Sequence, residues 1–130
     1  MYESKTRDVV VRVEPEFLIE QSSPQDNRFI WAYTVEIENQ SNEDLQVINR
    51  FWRIADRNGH VQEVSGEGVV GEMPTLKPGE TFRYTSGAPL SAPSGVMMGK
   101  YGMKTVSGEH YDVDIPAFSL DSPYEPRSIN

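Results

Sequence analysis

The amino-acid sequence predicts an all-β fold, a sandwich or barrel of about seven strands. Apolar residues recur with a period of two, turn dipeptides separate the runs, and no segment carries the 3.6-residue periodicity of a helix. A finer sign favours an immunoglobulin-like sandwich. Trp52 falls in the third predicted strand and Tyr101-Gly102-Met103 in the sixth. Immunoglobulin domains place a buried Trp on strand C and a Tyr two residues before a Cys on strand F. Met103 stands where that cysteine would be and fills the core without a disulfide.

Taken in order, Val9, Val11 and Val13 alternate with Val10, Arg12 and Glu14, a strand that Pro15 is expected to bend or end. From Phe29 to Asn39, Phe29, Trp31, Tyr33, Val35 and Ile37 share one face, and Ile30, Ala32, Thr34, Glu36 and Glu38 the other. Ile48, Trp52 and Ile54 are assigned to one face of the third strand, closed by Asn58-Gly59. Asn-Gly suits a two-residue type I′ turn, because both positions need a positive φ. His60 to Val64 returns as the fourth strand. In Leu76-Lys77-Pro78-Gly79-Glu80, Pro presets φ and Gly supplies the positive φ of a type II turn. Thr81 to Thr85 follows as a strand, and Ala88 to Gly95 reads as a proline-punctuated loop. Met97, Tyr101 and Met103 face inward and Met98, Lys100 and Lys104 outward. Ser107-Gly108 turns the chain, and Tyr111, Val113 and Ile115 form the inner face of a last strand ending at Pro116.

The chain of 130 residues is read as one domain over 1–125, with a loose tail over 121–130 that holds Pro123 and Pro126. A chain of this length buries roughly two-thirds of its unfolded surface, enough for one core. The absence of cysteine excludes a disulfide scaffold, a thiol nucleophile and any Cys-ligated metal centre. Twelve basic against twenty acidic residues give a net charge of −8. Such a field repels phosphate backbones, so nucleic acid is not an expected partner. The polar opening Met1 to Asp8 carries no signal-peptide core, and no apolar run is long enough to span a membrane. A cytoplasmic location without membrane insertion is expected.

Gly66-Glu67-Gly68-Val69-Val70-Gly71 matches the spacing of the dinucleotide-binding glycine motif. That motif works only between a strand and a helix whose N-terminus receives the pyrophosphate. Here Pro74, Pro78 and Gly79 follow, which leaves no room for a helix. No Gly-Lys-Ser/Thr follows to make a P-loop. Two readings stand: glycines that serve backbone geometry, or a nest of N–H groups for an anion. Glu67 and Glu72 would oppose an anion, whereas Arg50, Lys77 and Arg83 could offset them. The candidate ligand-binding residues are therefore Gly66, Gly68, Gly71, Arg50 and Lys77.

Catalytic patterns are absent from the sequence. Only His60 and His110 could serve a triad, and no Gly-x-Ser-x-Gly elbow surrounds a serine. His110, Asp112 and Asp114 alternate along the outer face of the last strand. Successive members lie roughly 6.5–7 Å apart along a strand, too far for all three to reach one ion. They read as a solvated face, and neither a metal nor a cofactor is expected.

The residues from Trp52 to Leu120 resemble the ApaG family. The resemblance rests on Trp52-Arg53-Ile54-Ala55-Asp56 with Gly59, on Val64-Ser65 leading into the glycine motif, and on Pro74, Leu76 and Pro78-Gly79-Glu80. It continues through Phe82-Arg83-Tyr84-Thr85-Ser86-Gly87, Leu90, Pro93-Ser94-Gly95, Met98-Gly99, Tyr101, Met103, Gly108 and Ile115-Pro116-Ala117-Phe118-Ser119-Leu120. The family implies a sandwich of about seven strands of the immunoglobulin-like, fibronectin type III-like kind. Its bacterial members are small stand-alone proteins linked by name to cobalt and magnesium resistance, and their genes commonly lie beside a diadenosine-tetraphosphate hydrolase. In eukaryotes the same domain is appended to F-box and polymerase-interacting proteins as an interaction module. The family's usual candidate for a pyrophosphate or nucleotide contact is the glycine loop, which this chain matches fully. Two positions depart from the family. Asn49-Arg50-Phe51-Trp52 stands where relatives often read Ser-Arg-His-Trp, and Ala88 where many carry Cys.

These readings converge on a non-enzymatic protein-interaction module with an unidentified protein partner. The alternative is a binder of a phosphorylated small molecule through Gly66 to Gly71. A chain without a membrane span would influence metal efflux only through a partner.

Overall fold

The computed structural model describes residues 1–124. Nine strands appear among them: β1 (Tyr2–Thr6), β2 (Val9–Phe17), β3 (Phe29–Asn39), β4 (Leu45–Asp56), β5 (Val61–Glu67), β6 (Thr75–Leu76), β7 (Thr81–Leu90), β8 (Ser94–Thr105) and β9 (His110–Asp121). They form two antiparallel sheets, one ordered β1-β2-β3-β7 and the other β5-β4-β8-β9, with β6 paired to the start of β4. Without β1 and the two-residue β6, seven strands remain. Their first, second and fifth face their fourth, third, sixth and seventh, a fibronectin type III-like sandwich.

The core sits between the sheets and is drawn from alternate residues, because side chains on a strand point to opposite faces in turn. Every second residue of β3, from Phe29 to Asn39, is buried. Val9, Val11 and Val13 join them from β2, and Met97, Tyr101 and Met103 from β8. Trp52 is the centre of an aromatic cluster, with ring centroids 5.1 Å from Tyr33, 6.0 Å from Phe118 and 6.5 Å from Tyr101. Burying each of these large side chains contributes about 1.5–3 kcal/mol. Met103 does occupy the core. The Tyr101 hydroxyl pairs with that of Tyr84 across the sandwich. Burial holds both phenols well above the ordinary tyrosine range.

Several local expectations are corrected. The N-terminal residues form β1, which pairs with β2 from Tyr2↔Val13 to Thr6↔Val9. Pro15 does not end its strand, since β2 runs on to Phe17. At Pro15 the strand has a neighbour only on the β3 side, where a residue without an N–H is tolerated. A bulge between Val47 and Asn49 shifts the register of β4. Leu45 and Val47 face inward before it and Trp52 and Ile54 after it, so Ile48 does not share the face of Trp52. A second irregularity, between Met97 and Gly99, carries β9 through Pro116 and delivers Phe118 and Leu120 to the core.

The Asp56–Gly59 turn has a positive φ only at Gly59, so it is not type I′. Gly59 donates to the Asp56 carbonyl at 3.1 Å and Asp56 to the His60 carbonyl at 3.0 Å, a type I turn followed by a left-handed glycine. The loop expected from Ala88 to Gly95 shrinks to Ser91–Pro93, with Ala88 and Ala92 buried. The tail expected from Asp121 starts later. Asp121 ends β9, Ser122 is buried, and the Tyr124 ring stands 6.0 Å from Phe17. The rest of that tail, 125–130, lies outside the described residues.

β1 also closes one side of the sandwich. Ser4 Oγ donates to the Asp114 carbonyl at 2.8 Å, and the Asp114 N–H donates to Thr6 Oγ1 at 3.0 Å. The Tyr2 ring lies 5.9 Å from Phe118, and its hydroxyl accepts from the Ser119 N–H at 3.4 Å. Three side-chain hydroxyls thus satisfy the backbone of the β9 edge where a strand would otherwise have paired.

Candidate functional site

The glycine motif begins in β5 and continues into the hairpin Val69–Glu72, which two backbone hydrogen bonds of 2.7 and 2.9 Å close. Its central residues, Val70 and Gly71, both have positive φ, 43° and 79°. This is the type I′ geometry that the sequence suggested for Asn58-Gly59. A β-branched residue in the left-handed region is strained, and Val70 is about half exposed there. At Gly68 a Cβ would lie 2.1 Å from the Glu72 carbonyl oxygen. At Gly66 it would lie 2.6 Å from the Arg50 guanidinium. Each glycine therefore has a mechanical reason: room for Arg50, close backbone approach, and a left-handed turn.

Arg50 belongs to this loop. It pairs in register with Gly66 on one side and Tyr101 on the other, so its side chain leaves β4 on the inner face, as that of Trp52 does. One guanidinium nitrogen donates to the carbonyls of Glu67 at 3.0 Å and Gly68 at 3.2 Å. The N–H groups of Gly68, Val69 and Glu72 are committed to backbone acceptors. The loop thus turns carbonyl oxygens towards Arg50. Gly66, Gly68, Gly71 and Arg50 come together, whereas Lys77 does not join them. It sits on the type II turn after β6, where the Glu80 side chain accepts from its N–H at 2.7 Å. β6 pairs with Leu45, roughly 15 Å along β4 from Arg50.

The outer faces of the two sheets differ. On the β1-β2-β3-β7 face, Arg12 contacts Glu3 at 2.8 Å, Glu38 at 2.8 Å and Glu36 at 3.7 Å, and Arg83 reaches Glu36 at 3.9 Å. The hydrogen bond from Arg12 holds the Glu38 carboxyl below the ordinary carboxylate range. On the β4-β8-β9 face, no ion pair forms among the described residues around Arg53, Lys100, Asp112 and Asp114. A half-buried Phe51 and an exposed Met98 and Val96 lie among those charges. Two open depressions of about 610 and 560 Å³ meet at Phe51 and Lys100. The two bulges flank this region and bend the sheet, and at Gly99 a Cβ would lie 2.0 Å from the Phe51 carbonyl oxygen.

His110, Asp112 and Asp114 stand exposed on this outer face, opposite Lys104, Gly102 and Lys100. Among the described residues no group of three or more His, Asp or Glu side chains is placed to hold a metal ion. Sequence reasoning missed Phe51 as a surface residue. The signal was present in its alternation with Trp52, which points the two rings to opposite faces.

A β-sandwich with a glycine hairpin clamped on an arginine and one uncompensated outer face defines a small β-domain without further modules among the described residues. The ApaG domain model matches residues 19–105, and the chain belongs to the ApaG domain family. It is 56% identical over 130 residues to Protein ApaG of Allorhizobium ampelinum, covering 100% of both chains. It is 57% identical over 124 residues to Protein ApaG of Rhodospirillum centenum, covering 95% of each. A Bordetella pertussis crystal structure bearing the name ApaA superposes with a TM-score of 0.87 at 46% identity, over 90% of this chain and 95% of that one. The C-terminal domain of wzt matches with a TM-score of 0.58 at 11% identity, which shows a shared fold alone.

Proposed function

We propose that this ApaG-family chain is a non-enzymatic, cytoplasmic protein-interaction module that docks a partner protein on the outer face of β4, β8 and β9. One observation carries this reading: the charges of that face surround Phe51 and Met98 without pairing among themselves, while the opposite outer face is laced with ion pairs. Apolar contacts rimmed by charges are the composition of a docking patch. The charges would find their counterparts on the partner, where complementarity sets specificity more than affinity. No helix among the described residues is long and apolar enough to cross a membrane. A role in cobalt or magnesium resistance would accordingly run through such a partner.

The test is affinity capture from an extract of the native organism, with wild-type chain, Phe51→Ser and the opposite-face variant Thr34→Ala as baits. A partner retained by wild type and Thr34→Ala but lost by a Phe51→Ser chain of unchanged thermal midpoint is the expected result. Equal recovery by all three would remove the face from the interaction. The phosphorylated-ligand reading is the alternative, and the same baits decide it poorly; titration with pyrophosphate and ATP, read at the amides of Gly66 to Gly71, decides it directly.

A further inference from the structure

The side of the sandwich opposite β1 is an open seam between the edges of β5 and β7. Each of these strands is paired on one side only, β5 with β4 and β7 with β3. A cavity of about 250 Å³ lies in the seam. Tyr33, Trp52 and Met97 line it together with Val64 of β5 and Ala88 of β7. The β7 contribution, Ser86-Gly87-Ala88, is small in volume, and this leaves the seam open above the aromatic rings. Arg50 stands at one end of the cavity. One of its nitrogens is fixed by the two loop carbonyls, and no carboxylate among the described residues lies within ion-pairing distance of it. Arg7 and Arg12, by contrast, are both ion-paired.

We propose that the seam is a small-molecule site, and that it takes a flat aromatic body bearing a single anionic group, which Arg50 receives. The lining mixes aromatic and aliphatic side chains with the polar Gln62 and Ser86 around one fixed charged group, and a cavity of about 250 Å³, smaller than a drug-sized pocket, admits a body no larger than a bicyclic ring system. Tyr33 and Trp52, otherwise buried in the core, offer the part of each ring that borders the cavity. The planar guanidinium, oriented before the ligand arrives, matches carboxylate or phosphate oxygens. The glycine hairpin then has an indirect role, since its carbonyls hold Arg50 in place and Gly66 leaves it room. This site is on the inner side of β4, and Arg50 is the residue it shares with the outer depression beside Phe51.

The test uses 2-naphthoate, 2-naphthyl phosphate and the neutral 2-naphthamide as probes, titrated into ¹⁵N-labelled chain. Saturable shifts are expected at the Trp52 indole N–H and the amides of Gly87 and Ala88, with the Trp31 indole unmoved. The amide probe should bind at least about tenfold more weakly than its acid, and Arg50→Gln should bring the anionic probes down to the level of the amide. The acid–amide comparison needs no variant, so it decides the matter even if Arg50→Gln does not fold. Tighter binding of the naphthoate assigns a carboxylate ligand, and tighter binding of the phosphate assigns a phosphate ester. The proposal is overturned by equal affinity for acid and amide, by shifts centred on Phe51 and Met98 instead, or by no saturable shift at millimolar probe.

Discussion

The two long sides of this sandwich are finished in opposite ways. On one, β1 lies against β9 and spends the hydroxyls of Ser4 and Thr6 on the backbone of Asp114. On the other, β5 and β7 end the sheets unpaired, and an arginine held by a glycine hairpin occupies the gap. A sandwich must cap its edges or leave them available to other molecules. The difference teaches where stability is placed and where binding capacity is left. The hydroxyls of the closed side satisfy the backbone of β9, while on the open side Arg50 is held by two backbone carbonyls and has no counter-charge among the described residues.

The largest expected effect sharpens the open side. Gly68→Ala places a Cβ 2.1 Å from the Glu72 carbonyl oxygen in a residue whose φ is +62°. Both the clash and the left-handed backbone must be relieved, at about 2–4 kcal/mol. The Gly68 carbonyl is also an anchor of Arg50, so the guanidinium should lose its fixed position. Urea unfolding measures the first effect, and the side-chain NMR signal of Arg50 the second. A variant of wild-type stability with an unchanged Arg50 signal would show that the hairpin does not clamp the arginine.

The next effect concerns the hydroxyl pair that ties the sheets together beside that arginine. Tyr84 and Tyr101 carry phenols raised by burial, although Arg50 acts in the opposite direction. Above the ordinary phenol range the unfolded chain releases these protons while the folded chain retains them. Stability is therefore complete at neutral pH and declines as pH rises beyond about 10. Tyr84→Phe leaves the Tyr101 hydroxyl buried without its partner and should cost about 1–3 kcal/mol at neutral pH. It should also flatten the alkaline decline. An identical alkaline profile for wild type and variant would place the titrating groups elsewhere.

Neither side of the sandwich was fully legible in the sequence. Period-two alternation identified β3 and the inner faces of β2 and β8, because large apolar residues recur at every second position on the face that each strand buries. The same rule could not find β1, whose Ser4 and Thr6 point at a strand edge instead of a core. It misplaced Ile48 and stopped β9 at Pro116, since a bulge inverts which residues face inward and leaves no mark on composition. The glycine motif was visible as a cluster. Its reason was not, because Arg50 reaches Gly66 only across the β4–β5 pairing. The seam was hidden altogether: Val64 and Ala88 belong to strands of different sheets, and no local pattern places them across a gap.

The smallest effect tests whether β1 caps β9 through those hydroxyls or merely lies beside it. Ser4→Ala with Thr6→Val removes one donor and one acceptor from Asp114 while keeping the β1–β2 backbone ladder. Both bonds are exposed to solvent, so water replaces them in part and the loss should be about 1–2 kcal/mol for the pair of changes. Amide exchange separates this from general loosening. In the wild type the Asp114 amide should exchange slowly, although no strand pairs with it on that side. In the double variant it should exchange at a rate like that of the outward amides of β7, while Val113 and Ile115 keep their protection. Acceleration spread evenly along β9 would mean that β1 acts by burying Phe118 under Tyr2. Acceleration confined to Asp114 would establish that the hydroxyls of Ser4 and Thr6 seal this stretch of the closed side, and that removing them makes it resemble the open one.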